Sequence, residues 1–161
     1  MKVEIVTEGR LTDIVAGGFD AGMRPRDMVP GDMIAVPFGA DLRYAVVGSP
    51  AYFEENPPPR TPADLTRHRC LRARLPSGGI YRWEFEQRSE ALNIEVPGVL
   101  TLNEPTLVRE AALAGAGVAY MREAWIEEDV AAGRLVSVLA LVRIGRPDRV
   151  CWPAELDVGR Q

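Results

Sequence analysis

The segment NEPTLVREAALAGAGVAYM, residues 103–121, gives the clearest local signals for a fold. Asn103 is a strong helix N-cap residue, and Pro105 fits the first turn of a helix. An apolar stripe follows at helical spacing, formed by Leu107, Val108, Ala111 and Ala112. The glycines within residues 115–117 end the helix and permit a tight return into the apolar residues 118–121. The segment therefore predicts a helix followed by a buried strand.

The same alternation extends in both directions along the chain. Apolar residues at helical spacing before Gly17-Gly18 lie between two strand-like segments, which predicts a parallel βαβ unit over residues 3–23. Other segments have strand character, at 33–38, 42–48, 69–75, 81–86, 92–96 and 135–139. Two of them, 81–86 and 92–96, alternate with a period of two, which marks one buried face. A helix is predicted over residues 122–132, which end at Gly133. Helices and strands that alternate throughout indicate the α/β class.

Two local features indicate where the chain has a lobe boundary or loop and where it has a solvent-exposed helix face. The three prolines at 57–59 cannot continue a helix, and they mark either a hinge between lobes or a rigid surface loop. The carboxylate run Glu127-Glu128-Asp129 lies within a predicted helix, where a solvated face is the ordinary explanation.

The composition and net charge of the chain exclude several classes of function. The chain has 161 residues, with 19 Lys+Arg against 23 Asp+Glu, so its net charge is 19 − 23 = −4. An acidic balance gives no electrostatic footprint for direct binding of nucleic acid. Two cysteines, Cys70 and Cys151, fit a reducing cytoplasm better than a disulfide-stapled secreted scaffold. The longest apolar run, residues 136–142, is too short to span a membrane, and the first residues do not resemble a signal peptide.

The residues give little support to catalysis or metal binding. His68 and Cys70 would point to the same face of one strand, so a thiol–imidazole pair is geometrically conceivable. The more ordinary interpretation is a core cysteine beside a surface histidine. One histidine and two distant cysteines do not form a zinc set. The glycines at 115–117 follow a helix instead of a strand, opposite to a dinucleotide fingerprint. We therefore predict no enzyme activity, no cofactor and no metal.

A ligand site is better supported than a catalytic one. The helix start at Asn103 offers free N–H groups that can hold an anion, although Glu104 places a negative charge beside them. Simple capping is the more ordinary explanation of Asn103. Arg24 and Ser49 follow predicted strands, where ligands collect in open α/β sheets. These residues are predicted to face a common cleft, with an exposed strand end as the alternative for Arg24.

Several short motifs, in order and at matching intervals, resemble the LysR-type transcriptional regulators. One is the sequence DIVAGGFDAGMR at residues 13–24, and another is AALAGAGVA at residues 111–119. The remaining matches lie at 46–53, 61–65, 68–71, 83–85, 97–98, 103–104 and 132–136. The resemblance covers nearly all of residues 3–139 and identifies the chain as a member of that family.

The resemblance implies the effector-sensing domain of such a regulator. Its expected fold is a two-lobed α/β domain like the type 2 periplasmic binding proteins. A small molecule, such as an organic anion, is expected to bind between the lobes. It implies a first lobe over residues 1–49, a second over 50–140 and an irregular tail over 141–161. The first lobe is expected to be incomplete, and the winged helix-turn-helix that binds DNA to be missing. The effector contacts carried over from the family are Arg24, Ser49, Asn103, Glu104 and the backbone around Gly117.

The family also implies a head-to-tail homodimer, with the helix near residues 105–114 of one copy close to that near 10–16 of the other. Two alternatives remain open. One is a truncated remnant that acts only by forming mixed dimers with intact relatives. The other is a solute-binding protein, which the lack of an export signal disfavours.

Overall fold

A computed structural model describes residues 2–7, 12–24, 28–39, 42–87, 90–139 and 148–153. The chain forms two compact units, a smaller one of Met1–Leu42 with Gly145–Gln161 and a larger one of Arg43–Ile144. The strands are β1 (Gly22–Arg24), β2 (Met33–Phe38), β3 (Tyr44–Gly48), β4 (Cys70–Ala73), β5 (Trp83–Gln87), β6 (Glu90–Ile94), β7 (Gly98–Leu102), β8 (Val118–Arg122), β9 (Val136–Val138) and β10 (Asp148–Pro153). The helices are α1 (Pro50–Glu55), α2 (Pro105–Leu113) and α3 (Glu123–Ala131), with a 3₁₀ helix at Pro62–Arg67.

The boundary between the units differs from the lobe boundary expected at residue 49. Strand β3 belongs to the larger unit because it is hydrogen-bonded between β8 and β9. The three prolines at 57–59 consequently lie inside the larger unit, where Pro59 is buried.

The βαβ unit predicted at the start of the chain is wrong in the described residues. Residues 2–7 form no strand, and residues 13–17 form a turn in place of a helix. The Asp13 carboxylate accepts hydrogen bonds from the backbone N–H groups of Val15 and Ala16, at 3.0 and 3.1 Å. Such local bonds compete with helix propagation, and Gly18, at φ 70°, then turns the chain. Strand β1 pairs antiparallel with β10, so no parallel pair is present here.

The C-terminal segment contains a strand in a region that was predicted to be an irregular tail. Strand β10 lies between β1 and β2 in an antiparallel three-stranded sheet, and Cys151 at its centre is buried. Hydrogen bonds to strands more than 100 residues away stabilise it. Nothing within the tail itself could reveal those partners. The rest of the tail, residues 141–147 and 154–161, lies outside the described residues.

The five-stranded sheet of the larger unit has the order β7-β4-β8-β3-β9. Strand β4 is parallel to both β7 and β8, whereas β3 is antiparallel to β8 and β9. As a result β3 ends where β4, β7 and β8 begin. We call this the Ser49 edge. The opposite edge, where β4, β7 and β8 end and β3 begins, is the Asn103 edge.

Alternating residues of the sheet form two cores. Val46 and Tyr120 pack with α1, the 3₁₀ helix and the β5–β6 hairpin on one face. Val47 and Ala119 pack with α2 and α3 on the other. This arrangement follows from the period of two in a strand, because adjacent side chains point to opposite faces. The period of two predicted for residues 81–86 is confirmed, because Tyr81, Trp83 and Phe85 belong to one core.

Asp129 departs from the solvated carboxylate run predicted for α3. Glu127 and Glu128 are exposed, but Asp129 is fully buried. Its carboxylate receives hydrogen bonds from Arg109 at 2.6 and 2.9 Å and from Arg134 at 2.8 Å. Burial by itself raises the pKa of Asp129, but these two guanidinium groups outweigh it and hold the pKa below its usual range. The residue joins α2, α3 and the turn before β9.

Candidate functional site

Arg24 lies in the smaller unit, at the end of β1. Its side chain is buried, and its guanidinium donates a hydrogen bond to the backbone carbonyl of Thr12. The alternative interpretation of Arg24 as an exposed strand end is therefore wrong. The contact fixes the turn at residues 13–17 against β1.

Ser49 and Gly117 are close together at the Ser49 edge, and both have internal structural roles. The buried Ser49 hydroxyl caps α1 by accepting a hydrogen bond from Tyr52 N at 3.2 Å. A Cβ atom built on Gly117 would lie 2.1 Å from the carbonyl oxygen of Arg69. Gly117 is therefore needed for the close approach of β8 to the residue that precedes β4.

More polar groups at the Ser49 edge bond to one another. The Tyr52 hydroxyl lies 3.1 Å from His68 Nδ1 and accepts a bond from Arg69 N at 3.1 Å. The Arg69 guanidinium lies 5.1 Å from the Tyr52 ring centre and donates to the Gly115 carbonyl at 3.3 Å. This edge is a closed network, which sequence inspection missed because its members are far apart in the chain.

Asn103 and Glu104 lie at the opposite, Asn103 edge. Both residues are exposed. The prediction that Asn103 caps α2 is wrong, because the helix begins one residue later and Glu104 is the N-cap residue. The Glu104 carbonyl accepts from Val108 N at 3.2 Å, and its carboxylate accepts from the Thr106 hydroxyl at 3.0 Å. Within the described part of the chain, the Asn103 amide has no hydrogen-bond partner.

The topology thus separates two groups of residues that were expected to share one cleft. Ser49 follows a strand that runs antiparallel to β8, whereas Asn103 follows a strand parallel to it. Their two edges are one strand length apart, roughly 13 Å for five residues. The sequence prediction assumed that both strands ended at the same edge.

A stack of tyrosines lies near the Asn103 edge, on the face that the β5–β6 hairpin covers. The rings of Tyr44 and Tyr120 are parallel with centres 4.9 Å apart, and Tyr81 is 6.2 Å from Tyr44. Trp83 and Phe85 from the hairpin pack on Tyr120 at 5.5 and 5.8 Å. Burial raises the pKa of both Tyr81 and Tyr120, so these phenols stay protonated at neutral pH. The alternation of Tyr81, Trp83 and Phe85 was the sequence signal for this cluster.

Arg122 brings a cation to the same edge. Its Nε donates to the Tyr44 hydroxyl at 3.3 Å, and its guanidinium lies 5.0 Å from the ring centre of Trp125. Trp125 is half exposed. The Tyr120 hydroxyl donates to the Glu84 carbonyl at 2.7 Å, so this cluster is bonded within the protein. Asn103 follows β7, which is three strands from β3 in the sheet, so it lies in a different part of the same edge.

The thiol and imidazole considered for catalysis are poorly suited to it. Burial raises the pKa of the fully buried Cys70 thiol to about 12, and its Sγ faces the Leu65 and His68 carbonyl oxygens at 3.5 and 3.6 Å. A thiol with that pKa is almost entirely un-ionised near neutral pH and is a weak nucleophile. His68 is engaged by Tyr52 instead. In the described ranges, no three His, Cys, Asp or Glu side chains are grouped to hold a metal, and no helix is long and apolar enough to cross a membrane.

The fold of this chain is also found in a class of solved regulatory domains. It is similar to the full-length Vibrio cholerae virulence activator AphB, with a TM-score of 0.73 at 22% identity, over 92% of this chain and 49% of that one. That class has the two-lobed fold of the periplasmic binding proteins. A family model described as LysR substrate binding domain matches residues 1–157. The chain belongs to the LysR substrate-binding domain family, which confirms the resemblance drawn from its motifs.

Two curated relatives agree with this assignment. A Pseudomonas aeruginosa protein described as a transcriptional regulator is 44% identical, over 86% of this chain and 46% of that protein. The Escherichia coli HTH-type transcriptional regulator YcaN is 40% identical, over 86% of this chain and 45% of that protein. The chain thus spans about half the length of the curated relatives it matches.

Proposed function

We propose that this chain is the effector-sensing domain of a LysR-family transcriptional regulator and that it binds a small metabolite at the Asn103 edge. The observation that carries the proposal is the difference between the two sheet edges. Polar groups at the Ser49 edge bond to one another, whereas the Asn103 amide has no partner among the described residues. An exposed amide can both donate and accept hydrogen bonds, and it is therefore suited to binding a polar ligand.

The proposed ligand is a small organic acid that also carries a hydrogen-bond donor. Its acceptor atoms would bond to the Asn103 amide, and its O–H or N–H group would bond to the exposed Glu104 carboxylate. Arg24 keeps a proposed ligand-contact role in the smaller unit. Ser49 and Gly117 are left out of the proposed site, since each already has a structural role at the other edge.

The proposal includes control of transcription without catalysis. Effector binding would change the relative population of two arrangements of the regulator, and so couple ligand binding to DNA binding elsewhere in the whole protein. The relatives that support this are transcriptional regulators. A cytoplasmic location is also proposed, because both cysteines are buried free thiols.

The partner proposed is a second copy of the chain in a head-to-tail dimer. Leu107 on α2 is 52% exposed, which suits an apolar contact. The helix expected near residues 10–16 is not available for it, because the described residues there form a turn. Sedimentation of the chain with and without Leu107→Glu tests this point. A dimer that Leu107→Glu converts to monomer is expected.

The effector role is tested by thermal shift with a panel of small organic acids. At least one acid is expected to raise the melting temperature, since a ligand that binds only the folded state stabilises it. Asn103→Ala should remove that gain. Asn93→Ala, at another exposed asparagine of the larger unit, should keep it. The proposed site would be overturned if every stabilising acid bound Asn103→Ala as tightly as the wild type. A complete panel without a stabiliser would leave the mixed-dimer module as the better account.

A further inference from the structure

Arg72 on β4 is a half-buried cation whose side chain bonds only to a neutral hydroxyl. Its Nε donates to Thr101 Oγ1 on the neighbouring strand β7, at 3.1 Å. In the described part of the chain, the two terminal nitrogens of Arg72 contact no carboxylate, carbonyl or ring. Arg109 is the contrast, since it is also half-buried but pairs with the Asp129 carboxylate. Charged donors that are partly removed from water are costly unless an acceptor meets them.

The strand next to Arg72 is shaped to hold its guanidinium. A Cβ atom built on Gly98 of β7 would lie 2.0 Å from Arg72 Nε and 2.6 Å from Arg72 Cζ. The guanidinium therefore occupies the space that any side chain at position 98 would fill. The register of β4 and β7 shifts at this point, between Cys70 and Leu71. Glycine at 98 and this irregularity give Arg72 a fixed position against the backbone.

The side chains at this position carry N–H and O–H donors that none of the described residues accepts. Thr101 Oγ1 already accepts from Arg72, so its own hydrogen is directed elsewhere, and none of the described residues accepts it. The terminal Arg72 nitrogens add four N–H groups in a planar fork. A guanidinium fork beside a hydroxyl donor is complementary to an oxyanion.

We propose that Arg72, Thr101 and Gly98 form a binding site for the carboxylate of a small organic acid, separate from the Asn103 edge. The carboxylate accepts two parallel hydrogen bonds from the Arg72 terminal nitrogens and a third from the Thr101 hydroxyl. A single guanidinium matches the charge of one carboxylate. Inorganic phosphate shares the same oxyanion chemistry and is therefore tested as a competing probe.

Titration of the full chain at low salt tests the site, with acetate, succinate, uncharged dimethyl succinate and inorganic phosphate as probes. Amide chemical shifts of residues 72 and 98–101 are the readout, and they also report folding. Succinate is expected to move them and dimethyl succinate is not. Arg72→Gln should weaken succinate binding about ten-fold or more, and Thr101→Val about three-fold, as expected for lost charge-assisted and neutral hydrogen bonds. Arg74→Gln is the matched control, since Arg74 is exposed and donates to the Gly78 carbonyl.

Three results would overturn the proposal. The first is wild-type protein whose shifts do not respond to acetate or succinate. The second is a folded Arg72→Gln, or a folded Thr101→Val if Arg72→Gln unfolds, that binds succinate as tightly as the wild type. The third is binding of phosphate in preference to both carboxylates, which would reassign the site to phosphate. Asn103→Ala should bind succinate at this site unchanged, so the outcome is independent of the proposed effector role.

Discussion

The two edges of the five-stranded sheet have similar polar residue types but opposite degrees of internal bonding. At the Ser49 edge, a serine, a tyrosine, a histidine and an arginine bond to one another and to the backbone of the Gly115 turn. At the Asn103 edge, the Asn103 amide has no partner in the described residues, and the Glu104 carboxylate bonds only to Thr106, two residues away. The first edge contributes to stability, and the second leaves groups available to a ligand. Substitutions should therefore affect folding at one edge and binding at the other.

The largest loss of stability is expected from Gly117→Ala at the Ser49 edge. The new Cβ would lie 2.1 Å from the Arg69 carbonyl oxygen, a backbone atom that cannot move without disturbing the hydrogen bond from Val118 N. We expect a decrease of about 3 kcal/mol in the free energy of unfolding, the upper range for forced overpacking. Urea denaturation followed by circular dichroism measures it. Gly79→Ala is the control, because its nearest atom in that test is Ser77 Oγ at 3.7 Å. Equal losses for both variants would contradict the close approach.

Removal of one tyrosine hydroxyl at each edge compares directly how much the two edges contribute to stability. Tyr52→Phe removes a buried oxygen that accepts from Arg69 N and contacts His68, and should cost about 1.5 kcal/mol. Tyr44→Phe removes a half-buried oxygen that accepts from Arg122 Nε at 3.3 Å, and should cost about 0.5 kcal/mol. Both values come from chemical denaturation at pH 7.5. A Tyr44→Phe loss as large as that of Tyr52→Phe would mean that both edges serve folding.

A smaller effect is expected from acid, through His68. Burial lowers the pKa of His68, and the weaker attraction of Asp64 opposes this shift without cancelling it. The unfolded chain therefore binds the proton more tightly than the folded chain does. Stability should be complete above the unfolded pKa of about 6.5 and should fall as the pH drops below it, down to the folded pKa.

Unfolding free energies at pH 5.0, 6.0 and 7.0 measure this slope. His68 is the single histidine of the chain, so His68→Asn, which retains an acceptor near Nδ1, should flatten the slope between these values. An unchanged slope in that variant would assign the pH dependence to other groups.

The smallest effect on stability is expected from Asn103→Ala. The side chain is exposed and has no partner among the described residues, so the free energy of unfolding should change by less than about 0.5 kcal/mol. Its consequence should be confined to ligand binding, as measured by the thermal-shift panel. A loss of stability comparable to that of Tyr52→Phe would show that Asn103 has a structural role, and the contrast between the edges would fail.

Much of the local structure of the larger unit followed from the sequence. Alternation of apolar residues predicted the strand at β5, and short apolar segments predicted those at β3 and β8. The glycines at 115 and 133 marked where helices end, each at a positive φ. These features are decided by periods of two and 3.6 residues and by the conformational freedom of glycine. The family could be identified in the same way, since it is carried by the order of such local motifs.

Tertiary structure decided which of these elements meet and in which direction. A strand pattern is the same for parallel and antiparallel pairing, so the direction of β3 was not readable, and Ser49 was placed at the same edge as Asn103. The pairing of β10 with β1 and β2 depends on residues more than 100 positions away. In the sequence, Asp129 is only a charged residue within a predicted helix. Its burial depends on the ion pairs with Arg109 and Arg134, which form in the tertiary structure. The sequence by itself determined the elements and the family, whereas the two dissimilar sheet edges arise only from long-range hydrogen bonds, which no local pattern encodes.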